Sequence, residues 1–149
     1  MTLRVPESLK NAHEALHAGL KQAMREPGHL GEVARRLMEV MDGHMMREEK
    51  FALRPLGLLA ALGRGETPAD LAEAARMVQA LKREMPQMVA EHRQIAELLR
   101  QLAKDAEAAG KTDYVALAED MIVHAQMEED VFYPAAMLVG AYAALVRAD

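Results

Sequence analysis

The sequence has no cysteine. That absence removes disulfides, a thiol nucleophile, thiolate-bound zinc and iron-sulfur clusters together, so any metal must be held by nitrogen and oxygen donors. Helix breakers are scarce, with 9 glycines and 6 prolines in 149 residues, while Ala, Leu, Glu, Met and Arg dominate. An all-α protein is expected. The Met-Thr-Leu-Arg-Val-Pro start lacks a signal-peptide core, and charge breaks every long apolar stretch, so the expectation is a cytoplasmic protein with no bilayer span. Basic residues are scattered along a chain of net charge −5, which argues against nucleic acid and anionic membranes as partners. Ser-His-Asp patterns, glycine-rich phosphate loops and the His-Glu-x-x-His helix are missing as well.

What the chain does have is helical periodicity. A first helix is expected to start at Pro6-Glu7-Ser8, carry Leu9, His13, Leu16, Leu20 and Met24 on one face, and end before Glu26-Pro27-Gly28. A second follows Gly31, with Val33, Leu37, Val40, Met41, His44, Glu48 and Phe51 inward, and Pro55 should end or kink it. Thr67-Pro68 reads as the cap and first position of a third helix. Its stripe from Leu71 to Leu102 keeps register across Pro86, where a kink or short break is expected. Thr112 and Asp113 should cap a fourth helix, with Leu117, Met121, His124, Glu128 and Val131 inward up to Pro134, and a short C-terminal helix from Ala135 to Val146 completes the chain. The expected architecture is an antiparallel up-down-up-down four-helix bundle forming one domain, residues 1–149. Within it, 8–55 and 86–134 would be two similar helical hairpins.

The two hairpins share a phrase. His44-Met-Met-Arg-Glu48-Glu49 runs to Pro55, and His124-Ala-Gln-Met-Glu128-Glu129 runs to Pro134. Each follows a lone histidine, His13 by 31 residues and His92 by 32. Residues at i and i+4 lie on one helix face, so His44 with Glu48 and His124 with Glu128 can converge, while Glu49 and Glu129 turn about 100° away toward solvent or supporting contacts. One such histidine is ordinarily a core or half-exposed residue. Four of them with two glutamates at one level, on stripes without Lys or Arg, would cost several kcal/mol per unpaired carboxylate. Divalent cations offset that cost. The donor set suits iron, manganese or zinc. A ferritin-type site needs Glu-x-x-His on two helices, and here that spacing occurs on one expected helix, from Glu14 to His17, and otherwise only across the Pro27-Gly28 loop, from Glu26 to His29.

Together, His13, His44-x-x-x-Glu48-Glu49 with Pro55, His92, and His124-x-x-x-Glu128-Glu129 with Phe132-Tyr133-Pro134 resemble the hemerythrin-like, or HHE cation-binding, domain over most of the chain. The resemblance implies a non-haem di-iron centre, two iron ions with a bridging oxo or hydroxo group. His13, His44, His92 and His124 would be terminal ligands, and Glu48 and Glu128 would bridge. Oxygen-carrying hemerythrins are similar but keep a histidine one turn before the third-helix ligand, where this chain has Met88, and an aspartate five residues after the last histidine, where it has Glu129. Those departures point away from reversible oxygen carriage. His17, one turn after His13, is the residue that could supply the missing imidazole; a bundle-edge histidine bonded to a neighbouring helix is the equal alternative.

Composition assigns simpler roles elsewhere. His29, in the Pro27-Gly28-His29 loop, is expected to be solvated. Met41, Met85, Met88 and Met121 read as core filler; Phe51, Phe132 and Tyr133, which follow the two glutamates, as walls of the metal pocket or, by preference, as core packing; and Arg35, Arg36 and Arg47 as a solvated face. The primary functional expectation is a di-iron protein binding or reacting with O₂, NO or peroxide, in sensing or detoxification. The alternatives are a metal-dependent regulatory module and an iron storage or iron-centre repair protein. A small diatomic or peroxide ligand is the expected partner, with a homodimer as the form any assembly would take.

Overall fold

The computed structural model describes residues 3–147, and every regular element among them is helical. Helix α1 (Glu7–Ala23) begins directly after Pro6, whose fixed φ suits a helix entry, and buries His13, Leu20 and Ala23. Helix α2 (Gly28–Arg47) starts four residues earlier than the sequence pattern suggested and buries Val33, Leu37, Met41 and His44. Its α-helical geometry ends at Arg47, before Pro55. The chain continues into a π-helical turn, Glu48–Leu53, then a 3₁₀ turn, Arg54–Leu58, and the short helix α3, Leu59–Gly63.

Helix α4 (Leu71–Ala108) starts after Asp70, not at Pro68, and runs through Pro86 without interruption. At 38 residues it is about 57 Å long, enough to pack on α6 with its first half and on α2 and α5 with its second. Its end is a Schellman closure: the Lys111 N–H donates to Ala106 O and the Gly110 N–H to Glu107 O. Gly110 adopts φ 69°, which only glycine does at no cost. Helix α5 (Thr112–Met127) has Lys111 before it, so Thr112 and Asp113 lie in its first turn and are not its cap.

A second π-helical turn, Glu128–Phe132, leads straight into α6 (Tyr133–Arg147). The whole run Thr112–Arg147 is long and apolar enough, by length and composition only, to cross a bilayer. The sequence pattern did not suggest this, because Glu128-Glu129-Asp130 interrupts it at its middle. Close contact between α6 and α4 depends on Gly140, where a Cβ would stand 2.6 Å from Val78 Cγ1.

Three apolar clusters lie along the bundle, a smaller one of Leu3, Leu58, Leu71, Ala74, Val139 and Ala143 and two larger cores. One gathers Leu37, Met41, Ile95, Leu99, Leu102 and Met121; the other gathers Leu53, Leu81, Met88, Tyr133 and Ala136. The methionines at 41, 88 and 121 are buried as filler. Between these cores sits a polar layer.

Candidate metal centre

Helices α1, α2, α4 and α5 each bring one histidine to that layer. His13, His44 and His92 are buried, as are Glu48 and Glu128, and His124 is mostly so. The i,i+4 spacing acts as expected on both phrases: His44 Nε2 lies 3.1 Å from Glu48 Oε1, and His124 Nε2 lies 3.7 Å from Glu128 Oε2. Across the bundle, His13 Nε2 stands 3.5 Å from both Glu48 Oε2 and Glu128 Oε2. His92 Nε2 stands 3.7 Å from Glu48 Oε1 and 3.6 Å from Glu128 Oε1. All four imidazoles therefore turn Nε2 toward this pair of carboxylates, His13 and His92 facing both and His44 and His124 one each.

Three of the rings turn Nδ1 toward a different carboxylate. His92 Nδ1–H donates to Glu129 at 2.8 Å, and His44 Nδ1 faces Glu91 at 3.4 Å. His13 Nδ1 faces Glu49 at 3.7 Å, beyond hydrogen bonding. An imidazole whose outer nitrogen is held by a carboxylate is oriented, and its inner nitrogen is made more basic, as metal ligands commonly are.

Burial opposes charge on both central carboxyls, and their protonation separates. Glu48 is held well below the usual carboxylate range despite its burial, because Glu128, His44 and His92 hydrogen-bond its charged form. Glu128 is pushed well above that range by burial and by the Glu48 charge. His92 rises against the pull of burial through Glu48 and Glu129, while His124 is lowered by burial and by His13. Burial, then Glu48 and Glu128, push the Tyr133 phenol up, so it is a neutral donor, and it donates to Glu48 Oε1.

The layer is under-satisfied in a way that suits cations. His13 Nδ1, His124 Nε2 and Glu128 Oε2 are buried without a hydrogen-bond partner, each costing about 1–3 kcal/mol. A cavity of about 20 Å³ lies among His13, His44, Glu48, His92, His124 and Glu128, room for an atom or two and no larger group. His44, Glu48, His92 and Glu128 each offer a ligand atom within 4.8 Å of the others, and so do His13, His124 and Glu128. The residues fit a metal site with two halves.

His17 is not brought to this layer. Its Nε2 lies 3.2 Å from Asp42 Oδ1 at the bundle edge, the neighbouring-helix alternative. His29 lies in the first turn of α2, exposed but paired with Asp105. Arg47 is not simply solvated, since it donates to Glu91, the carboxylate behind His44. Arg35 likewise donates to Met24 O at 2.9 Å.

The π-helical turns explain what periodicity missed. Each begins at the glutamate of the His-x-x-x-Glu phrase, and an i→i+5 closure returns the fifth residue to the glutamate's face. Leu53 and Tyr133 are those fifth residues, and both are buried. Val131, assigned inward by the 3.6-residue period, is instead 54% exposed. A widened turn just before Pro55 and Pro134 also relieves the clash of each proline ring with the carbonyl four residues back. Such bulges are frequent at functional sites; the repeat of Glu-Glu followed by proline was the available signal. Glu91 had none, because its role depends on Arg47 from another helix.

The family model of the hemerythrin HHE cation-binding domain matches residues 4–136. No curated protein and no solved structure matches the chain. A match over that length, with the buried His-Glu layer inside it, makes this chain a member of the hemerythrin HHE cation-binding domain family.

Proposed function

We propose that this protein is a non-haem di-iron protein that binds or reacts with a small oxidant, O₂, NO or peroxide. The observation that carries the reading is the convergence of four Nε2 atoms on two shared carboxylates, Glu48 and Glu128. His44 and His92 would hold one cation and His13 and His124 the other, with the glutamates common to both. Bound iron would supply one-electron chemistry and a place for a diatomic or peroxide ligand. Zinc and manganese suit the same donors. The up-down-up-down order and the pairing of hairpins 8–55 and 86–134 belong to the same reading.

The chain's own residues do the rest. Glu129 and Glu91 orient His92 and His44. Met41, Ile95 and Met121 wall the inner cavity with apolar surface and limit water. A groove of about 250 Å³ between α4 and α5 reaches His92 and shares Ile95 and Ala125 with that cavity.

Anaerobic loading with Fe(II), followed by metal analysis and a visible spectrum before and after air, tests the reading. Two irons per chain are expected, with a new absorption on oxidation. Glu48→Ala and Glu128→Ala should each lose metal. Absence of bound iron in the wild type, or unchanged content in both variants, would show the assignment to be wrong.

One observation favours a second reading, a metal-dependent regulatory module. The helix that carries His124 and Glu128 inward leaves Val131, Leu138 and Leu145 exposed on its outer side, a face that a partner could read. Peroxide consumption by the loaded protein supports the first reading. Metal-dependent self-association without turnover supports the second.

A further inference from the structure

Resting on the di-iron reading, we infer that Tyr133 is a metal ligand, the fifth of the His44–His92 half, and that the His13–His124 half is the one left open to an external ligand. Tyr133 is 2% exposed, and its hydroxyl donates to Glu48 Oε1 while standing 3.3 Å from His92 Nε2. Its ring stacks on His92 at 5.8 Å between centroids and 17° between planes. A cation about 2 Å from each nitrogen and oxygen donor places adjacent donors about 3 Å apart. The Tyr133 oxygen has that relation to His92 Nε2, and it is hydrogen-bonded to Glu48. It is an oxygen donor at the edge of the set His44, Glu48, His92 and Glu128.

The other half has no equivalent. His13 and His124 pack edge to face at 4.9 Å, and the aromatic neighbour of His124 is Phe132, at 6.3 Å. Phe132 has no donor atom. His17, the remaining nearby imidazole, is engaged with Asp42. On the first side Met88 is fully buried in the apolar cluster that contains Tyr133, so the phenol is the polar group that this cluster presents to the layer. The π-helical turn makes the placement, returning Tyr133 to the face of Glu128. On binding Fe(III) the hydroxyl proton leaves to bulk water and no electron moves.

The experiment is spectroscopic and independent of turnover. Protein loaded with iron and oxidised should show the visible charge-transfer band of an Fe(III)-phenolate. Tyr133→Phe should lose that band while keeping two irons per chain. The double variant Tyr114→Phe/Tyr142→Phe, which leaves Tyr133 as the chain's one tyrosine, should keep it, and this holds even if Tyr133→Phe fails to fold. Azide should bind without displacing it. Two irons bound with no such band, a band unchanged in Tyr133→Phe, or a band lost in the double variant would overturn the ligand assignment; displacement by azide would overturn the open half. A chain that binds no iron instead defeats the di-iron reading, a distinct result in the metal analysis.

Discussion

His92 and Glu129 form a 2.8 Å contact through the imidazole's Nδ1, so a carboxylate outside the buried layer fixes a ring whose other nitrogen faces Glu48 and Glu128. The corresponding pair on the other hairpin, His13 and Glu49, stands at 3.7 Å. The two copies of the phrase are therefore unequal in the support they give.

That inequality predicts different effects for matched substitutions. Glu129→Gln should weaken metal binding about 10–100-fold, the usual loss when a partner behind a ligating histidine is removed. Glu49→Gln should change it several-fold at most. Competition with a chromophoric chelator measures both, and equal losses would contradict the geometry.

Glu128 contributes to the pH dependence of the metal-free protein. Its folded pKa is raised above the unfolded value, so the native state holds a proton that the unfolded state has released. Stability from this group is fully present below about pH 4.3, the unfolded glutamate value, and is lost as pH rises toward the folded pKa. Metal must displace that proton, so metal affinity should rise over the same window. Thermal melts of metal-free protein across this range should show the decline, and Glu128→Gln should flatten it and abolish the stabilisation by metal.

Arg47 neutralises Glu91 behind His44. Arg47→Met leaves a carboxylate that is 9% exposed without its cation. A loss of about 1–3 kcal/mol is expected, below the cost of breaking a fully buried pair because the arginine is partly exposed. Adding Glu91→Gln should recover much of it, which a urea-melt double-mutant cycle would measure.

Gly140→Ala puts a Cβ 2.6 Å from Val78 Cγ1. Overpacking costs about 1–3 kcal/mol, reduced by the roughly 0.5–1 kcal/mol that alanine returns to a helix. Denaturant melts should show a net loss of about 0–2.5 kcal/mol by that arithmetic. Val78→Ala in the same chain should remove the interaction; an additive result would place α4 and α6 farther apart than described.

Much of the buried His-Glu layer was legible because its geometry is local. His44 with Glu48, and His124 with Glu128, are set by the rise and twist of one helix, and a stripe of period 3.6 placed His13 and His92 inward beside them. All-helical structure followed from the same periodicity and the scarcity of breakers. The sequence could not place what depends on a second element or on a departure from 3.6 residues per turn. Tyr133 reaches Glu48 because a π-helical turn adds a residue between Glu128 and Phe132, and the same turn sends Val131 outward. Glu91 acquires meaning only when Arg47 and His44 from α2 pack on it. Whether His17 faces the layer or Asp42 is decided by how α1 sits on α2. By itself the sequence determined which residues one helix can present together. The packing of the helices decided which side chains from different helices meet, because those contacts follow from distances that no single stretch of chain contains.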